Sequence, residues 1–314
     1  ALCYWGYLAL AVAIGIATTG ILSIKVETDR LVKALTREDI NAALKLAVIS
    51  AIVLPVLPNQ SFFGAPFDVL NPFKIWLMVV FISGISFLGY IAIKVVGPEQ
   101  GIGITGFLGG LVSSTAVTIS FSQRSKIDTA LGKPLALAIT IAWTVMFPRI
   151  LIEVGVLNLE LLAVVWIPIV ASGVTGMLYC VYLLLSQKPV EKGELSVSNP
   201  FDLEAAIKFG LLYGGVLLAS RAGQYYFGDT GLFLSSIISG VADVDAITLS
   251  VTELTTTGGL SLDTASRAIV VAAMTNTLVK GGIAILSGSK ALRKALLPGI
   301  ILISFVGMVV AFLS

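Results

Sequence analysis

The sequence predicts an all-α membrane protein of about eight to ten transmembrane helices in two inverted repeats, each with a broken or re-entrant helix. Three observations predict it. The 314 residues are 57% hydrophobic and 12% charged, where soluble domains carry about 25% charged residues. Several apolar runs are long enough to cross a hydrocarbon core of about 30 Å. The second half of the chain repeats the first, and the basic residues divide unevenly once each repeat is given a dip.

The first span runs from about Leu2 to Ile24, with Gly6, Gly15 and Gly20 available for close helix packing. The mixed charges from Lys25 to Lys45 predict a short surface helix; a solvated connector with a capped helix start at Thr36 is the alternative. A shorter span, Ala42 to Leu57, is closed by Pro55 and Pro58. Together, residues 1–70 form an N-terminal segment ahead of the repeats. The chain begins at Ala1 inside an apolar run that is too long and too weakly flanked for a signal peptide. That fits a fragment or processed form with membrane segments upstream.

Four collinear matches define the repeats. Asn71-Pro-Phe73 returns as Asn199-Pro-Phe201, Ile127-Asp-Thr-Ala130 as Leu262-Asp-Thr-Ala265, and Pro168 as Pro298. Gly110-Leu-Val-Ser-Ser-Thr-Ala-Val-Thr-Ile-Ser120 returns as Gly240-Val-Ala-Asp-Val-Asp-Ala-Ile-Thr-Leu-Ser250. The repeats are 71–186 and 199–314, joined by a polar linker, 187–198. Asn71 is a plausible N-cap with Pro72 at the first helical position. The first repeat holds apolar stretches 72–96, 101–122, 135–153 and 157–186; the second holds 203–220, 230–251, 266–287 and 295–314.

If every stretch spans, the basic residues outside Arg149 and Lys280 divide ten to eight between the faces. If 101–122 and 230–251 dip in and return, fifteen lie on one face and only Lys74, Arg221 and Arg267 on the other. The second division obeys the positive-inside rule and makes the repeats inverted. In the dips, Gly106, Gly109 and Gly110 precede Ser113, and Ser239 and Gly240 precede Asp243. Glycine followed by Ser, Thr or Asp suits a turn and then a cap on a second half-helix.

Asp243 and Asp245 sit inside an apolar tract. A carboxylate at that depth costs roughly 2.5–3.5 kcal/mol on insertion scales and by default marks a functional site. On extended backbone both face one cavity, with Asp245 suited to the N-cap and Thr248 a turn later. They read either as ligands for a cation or proton, or as structural caps. Glu253 is a third carboxylate or an interfacial one. In the first repeat Ser113, Ser114, Thr115 and Thr118 offer the hydroxyl and carbonyl oxygens that hard cations take. Arg149 and Glu153 are spaced to pair, after Pro148. Lys280, following Asn276 and Thr277, lies at similar depth in the second repeat. Arg149 and Lys280 are counter-charges holding the repeats together, charges that a cation displaces, or a site for an anionic solute; a desolvated Lys280 could also serve as a base.

The chain has no histidine, and Cys3 and Cys180 both lie in apolar stretches. That disfavours transition-metal transport and removes haem and histidine-based catalysis. With no phosphate loop, zinc motif or nucleophile–base pair, an enzyme is not expected, and the net charge of +2 says nothing of nucleic acid.

The residues Leu70-Asn-Pro-Phe-Lys-Ile-Trp76, Ile82-Ser-Gly-Ile-Ser-Phe-Leu-Gly-Tyr90, Gly110-Leu-Val-Ser-Ser-Thr-Ala116 and Gly240-Val-Ala-Asp-Val-Asp-Ala-Ile-Thr248 resemble the membrane domain of unknown function found in MgtC/SapB-family proteins. The resemblance implies an upstream MgtC-like domain as partner and magnesium transport or magnesium-linked physiology.

The expected function is a multi-pass transporter or channel of the plasma (inner) membrane for Mg²⁺, Na⁺ or another hard cation. The site lies between the repeats, with Asp243 and Asp245 as ligands. The alternatives are a carrier for a small anionic solute and a non-transporting regulatory partner. Expected partners are the bilayer, the ion or solute and a second copy of the chain; no cofactor or nucleic acid is expected.

Overall fold

Asn71 accepts a hydrogen bond from the Lys74 backbone N–H at 3.1 Å, and Pro72 takes the first helical position, where no N–H is needed. The pair opens a 25-residue helix where the sequence predicts one. The computed structural model describes residues 37–61, 63–96, 102–128, 131–186, 203–256 and 260–313. The predicted span 2–24, residues 25–36 and the linker 187–198 lie outside them.

Every regular element among the described residues is a helix. α1, Arg37–Val48, continues through a π-helical turn, Ile49–Val53, into Leu54–Val56. Then come α2 (Pro72–Val96), α3 (Ile102–Ile127), α4 (Gly132–Thr144), α5 (Met146–Leu157) and α6 (Leu159–Leu185). The second half holds α7 (Leu203–Ala242), α8 (Val244–Thr256), α9 (Leu262–Ser287) and α10 (Lys290–Leu313). Five stretches are long and apolar enough to cross a membrane: Gly103–Ile127, Gly132–Leu157, Leu159–Leu185, Leu262–Ser287 and Lys290–Leu313. Ile40–Val56 and Pro72–Ile85 are apolar but shorter. The chain is therefore a helical, multi-pass membrane protein, with five stretches of sufficient length and apolar composition among the described residues, two of them interrupted, at Ser113 and at Val145.

Pro148 divides α4 from α5. It has no N–H for the carbonyl of Thr144, four residues back, so the helix is interrupted at Val145.

Three single residues reverse the chain. At Gly228, φ is +60° and ψ −145°, a conformation that favours glycine. The arms of α7, 203–227 and 229–242, then lie against each other. A β-carbon on Gly223 would come within 2.7 Å of the Gly231 carbonyl oxygen, and the Ser235 hydroxyl reaches that of Ser220 at 3.4 Å. In a straight helix Gly223 and Gly231 would be about 12 Å apart.

Ser113 reverses α3, with φ −163° and ψ 101°. Ahead of it, Gly106 rests on Ala138 and Gly110 on Ala142, so the first arm runs parallel to α4. Beyond it, Trp143 Nε1 donates to Thr118 Oγ1 at 2.9 Å, at the same level as Gly110. A straight helix would carry Ile127 about 30 Å past Gly106, too far for residues 128–131 to return to Gly132.

Asp243, the non-helical residue between α7 and α8, does the same in the second half. Thr264 Oγ1 donates to Asp229 at 3.2 Å and Gly240 rests on Ala272, so this arm runs parallel to α9. The five residues after Thr256 must then return to Leu262. In lipid, helices gain little by burying apolar surface against one another, so such small-residue contacts carry much of the packing.

The two halves grip each other. α6 and α10 run antiparallel: Tyr179 donates its hydroxyl to the Ala295 carbonyl at 2.6 Å, Gly176 meets Ile303, and Gly307 meets Ser172. α6 also packs on α9 and α10 on α4, while α3 packs on α9 and α8 on α5. One apolar cluster sets Ile150 and Val154 against Ile247 and Val251. Another sets Phe121 and Leu135 against Leu292 and Leu296.

Candidate functional site

Each broken helix restarts on a side-chain cap. Ser113 Oγ accepts the Ala116 N–H at 3.2 Å. Asp243 Oδ1 accepts the N–H groups of Asp245 at 2.7 Å and Ala246 at 3.2 Å. The cap in the second half is thus Asp243, not Asp245 as the sequence led us to expect. A capping oxygen must come from the residue just before the helix, and here only Asp243 is non-helical. Asp245 already lies in the first turn of α8, so the two carboxylates do not share one extended segment.

That leaves the Asp245 carboxylate for a different partner. Arg149, on α5 of the other half, donates through Nη2 to Asp245 Oδ2 and through Nε to Glu153 Oε1 at 3.1 Å. The predicted Arg149–Glu153 pairing is present, and Asp245 joins it. Glu153 is fully buried and Asp245 is 8% exposed. Buried charges of this kind stay ionised only when paired and hydrogen-bonded.

Lys280 makes the reciprocal reach. From α9 its Nζ donates to Ser114 Oγ at 2.7 Å, in the first turn of the second arm of α3, and lies 3.5 Å from Met146 Sδ. Each half therefore sends one cationic side chain to the broken helix of the other. Arg149 hydrogen-bonds carboxylates there, and Lys280 hydrogen-bonds neutral groups.

The remaining predicted residues divide. Asn276 Nδ2 donates to the Gly240 carbonyl at 2.9 Å, satisfying backbone just ahead of the break. Thr118 is occupied by Trp143 and by the Ser114 carbonyl, to which its hydroxyl donates at 2.7 Å. Thr115 is exposed. Glu253 pairs with Lys74 at the start of α2, apart from the Arg149 group.

Three buried oxygens near the Asp243 break have no hydrogen-bond partner among the described residues: Glu153 Oε2, Thr248 Oγ1 and Asn276 Oδ1. Trp143 is the residue that sequence reasoning missed. Its Nε1 fills the hydroxyl of Thr118, whereas the Thr248 hydroxyl has no hydrogen-bond partner among the described residues. The sequence carries no local signal for this pairing, because 25 residues separate the two. Among the described residues no three Asp, Glu, Cys or His side chains have metal-ligand spacing.

Known proteins place the chain within a family without naming its work. Residues 80–288 match the family model described as domain of unknown function (DUF4010). An uncharacterized protein of Aquifex aeolicus (strain VF5) is 33% identical over 192 residues, covering 60% of this chain and 84% of the relative. No solved structure matches. Neither match carries the MgtC/SapB name that the sequence motifs brought forward. The chain belongs to the family defined by this domain of unknown function.

Proposed function

We propose that the chain is a membrane transporter for a small hard cation, bound beside the Asp243 break, and that its repeats, 71–186 and 199–314, are inverted. The observation that carries the reading is the set of three unpartnered buried oxygens, Glu153 Oε2, Thr248 Oγ1 and Asn276 Oδ1. All three can accept or coordinate. Thr248 lies one turn beyond Asp245, Glu153 shares Arg149 with Asp245, and Asn276 holds the Gly240 carbonyl. A buried oxygen left without a partner costs about 1–3 kcal/mol, and a cation or a hydrated cation removes that cost.

The balance of groups supports the same sign. Two cationic side chains, Arg149 and Lys280, stand against three carboxyls, Asp243, Asp245 and Glu153, so one carboxyl is left for a cation or a proton to neutralise. Na⁺ or a proton balances it directly; Mg²⁺, which the MgtC/SapB resemblance favours, would enter with its waters. The ion would use the hydroxyl of Thr248 and the amide oxygen of Asn276 beside the aspartates. Arg149 then acts as the resident counter-charge that the ion displaces.

The antiparallel packing of α6 and α10, whose Pro168 and Pro298 correspond, supports inversion, as does the reciprocal reach of Arg149 and Lys280. Inverted repeats with broken helices at midplane suit alternating access. Reversal at Ser113 and Asp243 supports the re-entrant reading of both dips.

One observation favours a second reading. Lys280 hydrogen-bonds only neutral groups, Ser114 and Met146, at the start of a half-helix whose dipole attracts negative charge, as an anion carrier requires. Against it, Asp243 already caps the other half-helix with its own carboxylate.

The test is flux in proteoliposomes, with Na⁺ and Mg²⁺ offered separately. Asp243→Asn keeps the cap and Thr248→Val keeps the shape; both should lower cation flux at least tenfold, while Thr118→Val should not. Anion flux that survives all three and disappears in Lys280→Gln would replace the cation reading with the second one.

A further inference from the structure

A groove of about 750 Å³ opens where α4 begins, α6 ends and α10 begins. Its two basic residues, Lys133 and Lys294, are exposed. Lys133 Nζ donates to the Ser186 carbonyl at 3.4 Å, so it stands at the C-terminal end of α6. Lys294 has no hydrogen bond or ion pair among the described residues. Lys290 and Arg293 lie on the adjoining turn of α10.

From that basic rim the groove runs into the apolar part of the helices. Along α10 it reaches from Lys294 to Leu302, about 12 Å at 1.5 Å per residue. Leu178 and Tyr182, both exposed, line the α6 side. Tyrosine beside lysine at a helix end is the composition of a membrane–water interface. Here one cleft is charged at the interface and apolar toward the bilayer centre.

We propose that this groove holds an anionic glycerophospholipid, its phosphate between Lys133 and Lys294 and an acyl chain along Leu178 and Leu302. Basic pockets between membrane helices recognise anionic headgroups in this way. The two lysines give the charge complementarity, and the 12 Å of apolar depth beneath them distinguishes a lipid from a free phosphate. Because α6 and α10 are equivalent helices of the two halves, a lipid seated there would brace the contact between them.

The test uses the full chain in nanodiscs of phosphatidylcholine, with and without phosphatidylglycerol. Phosphatidylglycerol should raise the unfolding temperature of the wild type by several degrees. Lys133→Gln with Lys294→Gln should lose most of that rise. Lys126→Gln with Lys208→Gln, which removes the same charge elsewhere, should keep it. Equal loss in both double variants would reduce the effect to surface charge and overturn the site, as would the absence of any phosphatidylglycerol response. A photo-crosslinker at Leu178 should yield a phospholipid adduct. An adduct to residues 187–202 of the chain, or to a second copy, would overturn the proposal in favour of that occupant.

Discussion

Arg149 and Asp245 stand 96 residues apart in the sequence, and their ion pair ties the two halves of the molecule together. Glu153 completes the group from the same helix as Arg149. Removing one member of a buried pair costs about 3–5 kcal/mol, because it leaves the partner uncompensated. Arg149→Met should therefore cut the folded yield sharply in fluorescence-detected size exclusion. Adding Asp245→Asn and Glu153→Gln, which removes the stranded charges, should recover most of it. Failure of the triple variant to recover would mean that Arg149 acts through something other than charge compensation.

The two caps can be separated from the charges. Asp243→Asn should leave thermal stability nearly unchanged, since asparagine caps as well as aspartate, while Asp243→Ala should cost about 1 kcal/mol. Ser113→Ala should cost a similar amount. If Asp243→Asn and Asp243→Ala melted together, capping would not be the role of this side chain.

Glycine positions make a sharper contrast. A β-carbon on Gly110 would stand 2.7 Å from the Ala142 α-carbon, and one on Gly240 would stand 2.6 Å from the Ala272 carbonyl oxygen. Backbone cannot step aside as a flexible side chain can, so Gly110→Ala and Gly240→Ala should each lower the unfolding temperature markedly. Gly215 and Gly282 have nothing within 4 Å, and alanine there should be neutral or stabilising by roughly 0.5–1 kcal/mol.

Topology follows from the reversal at Ser113. Single cysteines replacing Pro98 and Asp128, in a background with Cys3 and Cys180 changed to serine, should react with an impermeant thiol reagent from the same side of the membrane. Labelling from opposite sides would rule out the re-entrant arrangement.

Much of this was legible in the sequence because it depends on local chemistry. Asn71-Pro72 supplies a cap and a first helical residue from adjacent positions, and glycines ahead of Ser113 and Asp243 mark breaks by backbone freedom and capping. What the sequence could not disclose were choices between neighbours and partners. Asp243 and Asp245 are equivalent by composition, and only the backbone at 243 decides which one caps. Arg149 was readable as a partner for Glu153 at i, i+4, but its reach to Asp245 depends on how α5 packs on α8. The reversal at Gly228 falls between two predicted stretches, and the direct contact of Gly223 with Gly231 leaves no trace in hydropathy.

Two further contacts between the halves have unequal construction. Asn158 Nδ2 donates to Thr255 Oγ1 at 2.9 Å, and the Ser289 backbone N–H donates to Ser125 Oγ at 2.9 Å. Each joins the start of a last helix, α6 or α10, to the end of the other half's broken helix. The first joins two side chains, whereas in the second only the acceptor is a side chain and the donor is fixed to the backbone at the start of α10. With both its partners free to rotate, the Asn158 end should be the more compliant of the two. Backbone amides at 159–162 should accordingly exchange with solvent deuterium faster than those at 290–293, and the reverse order would place the softer end at Ser289.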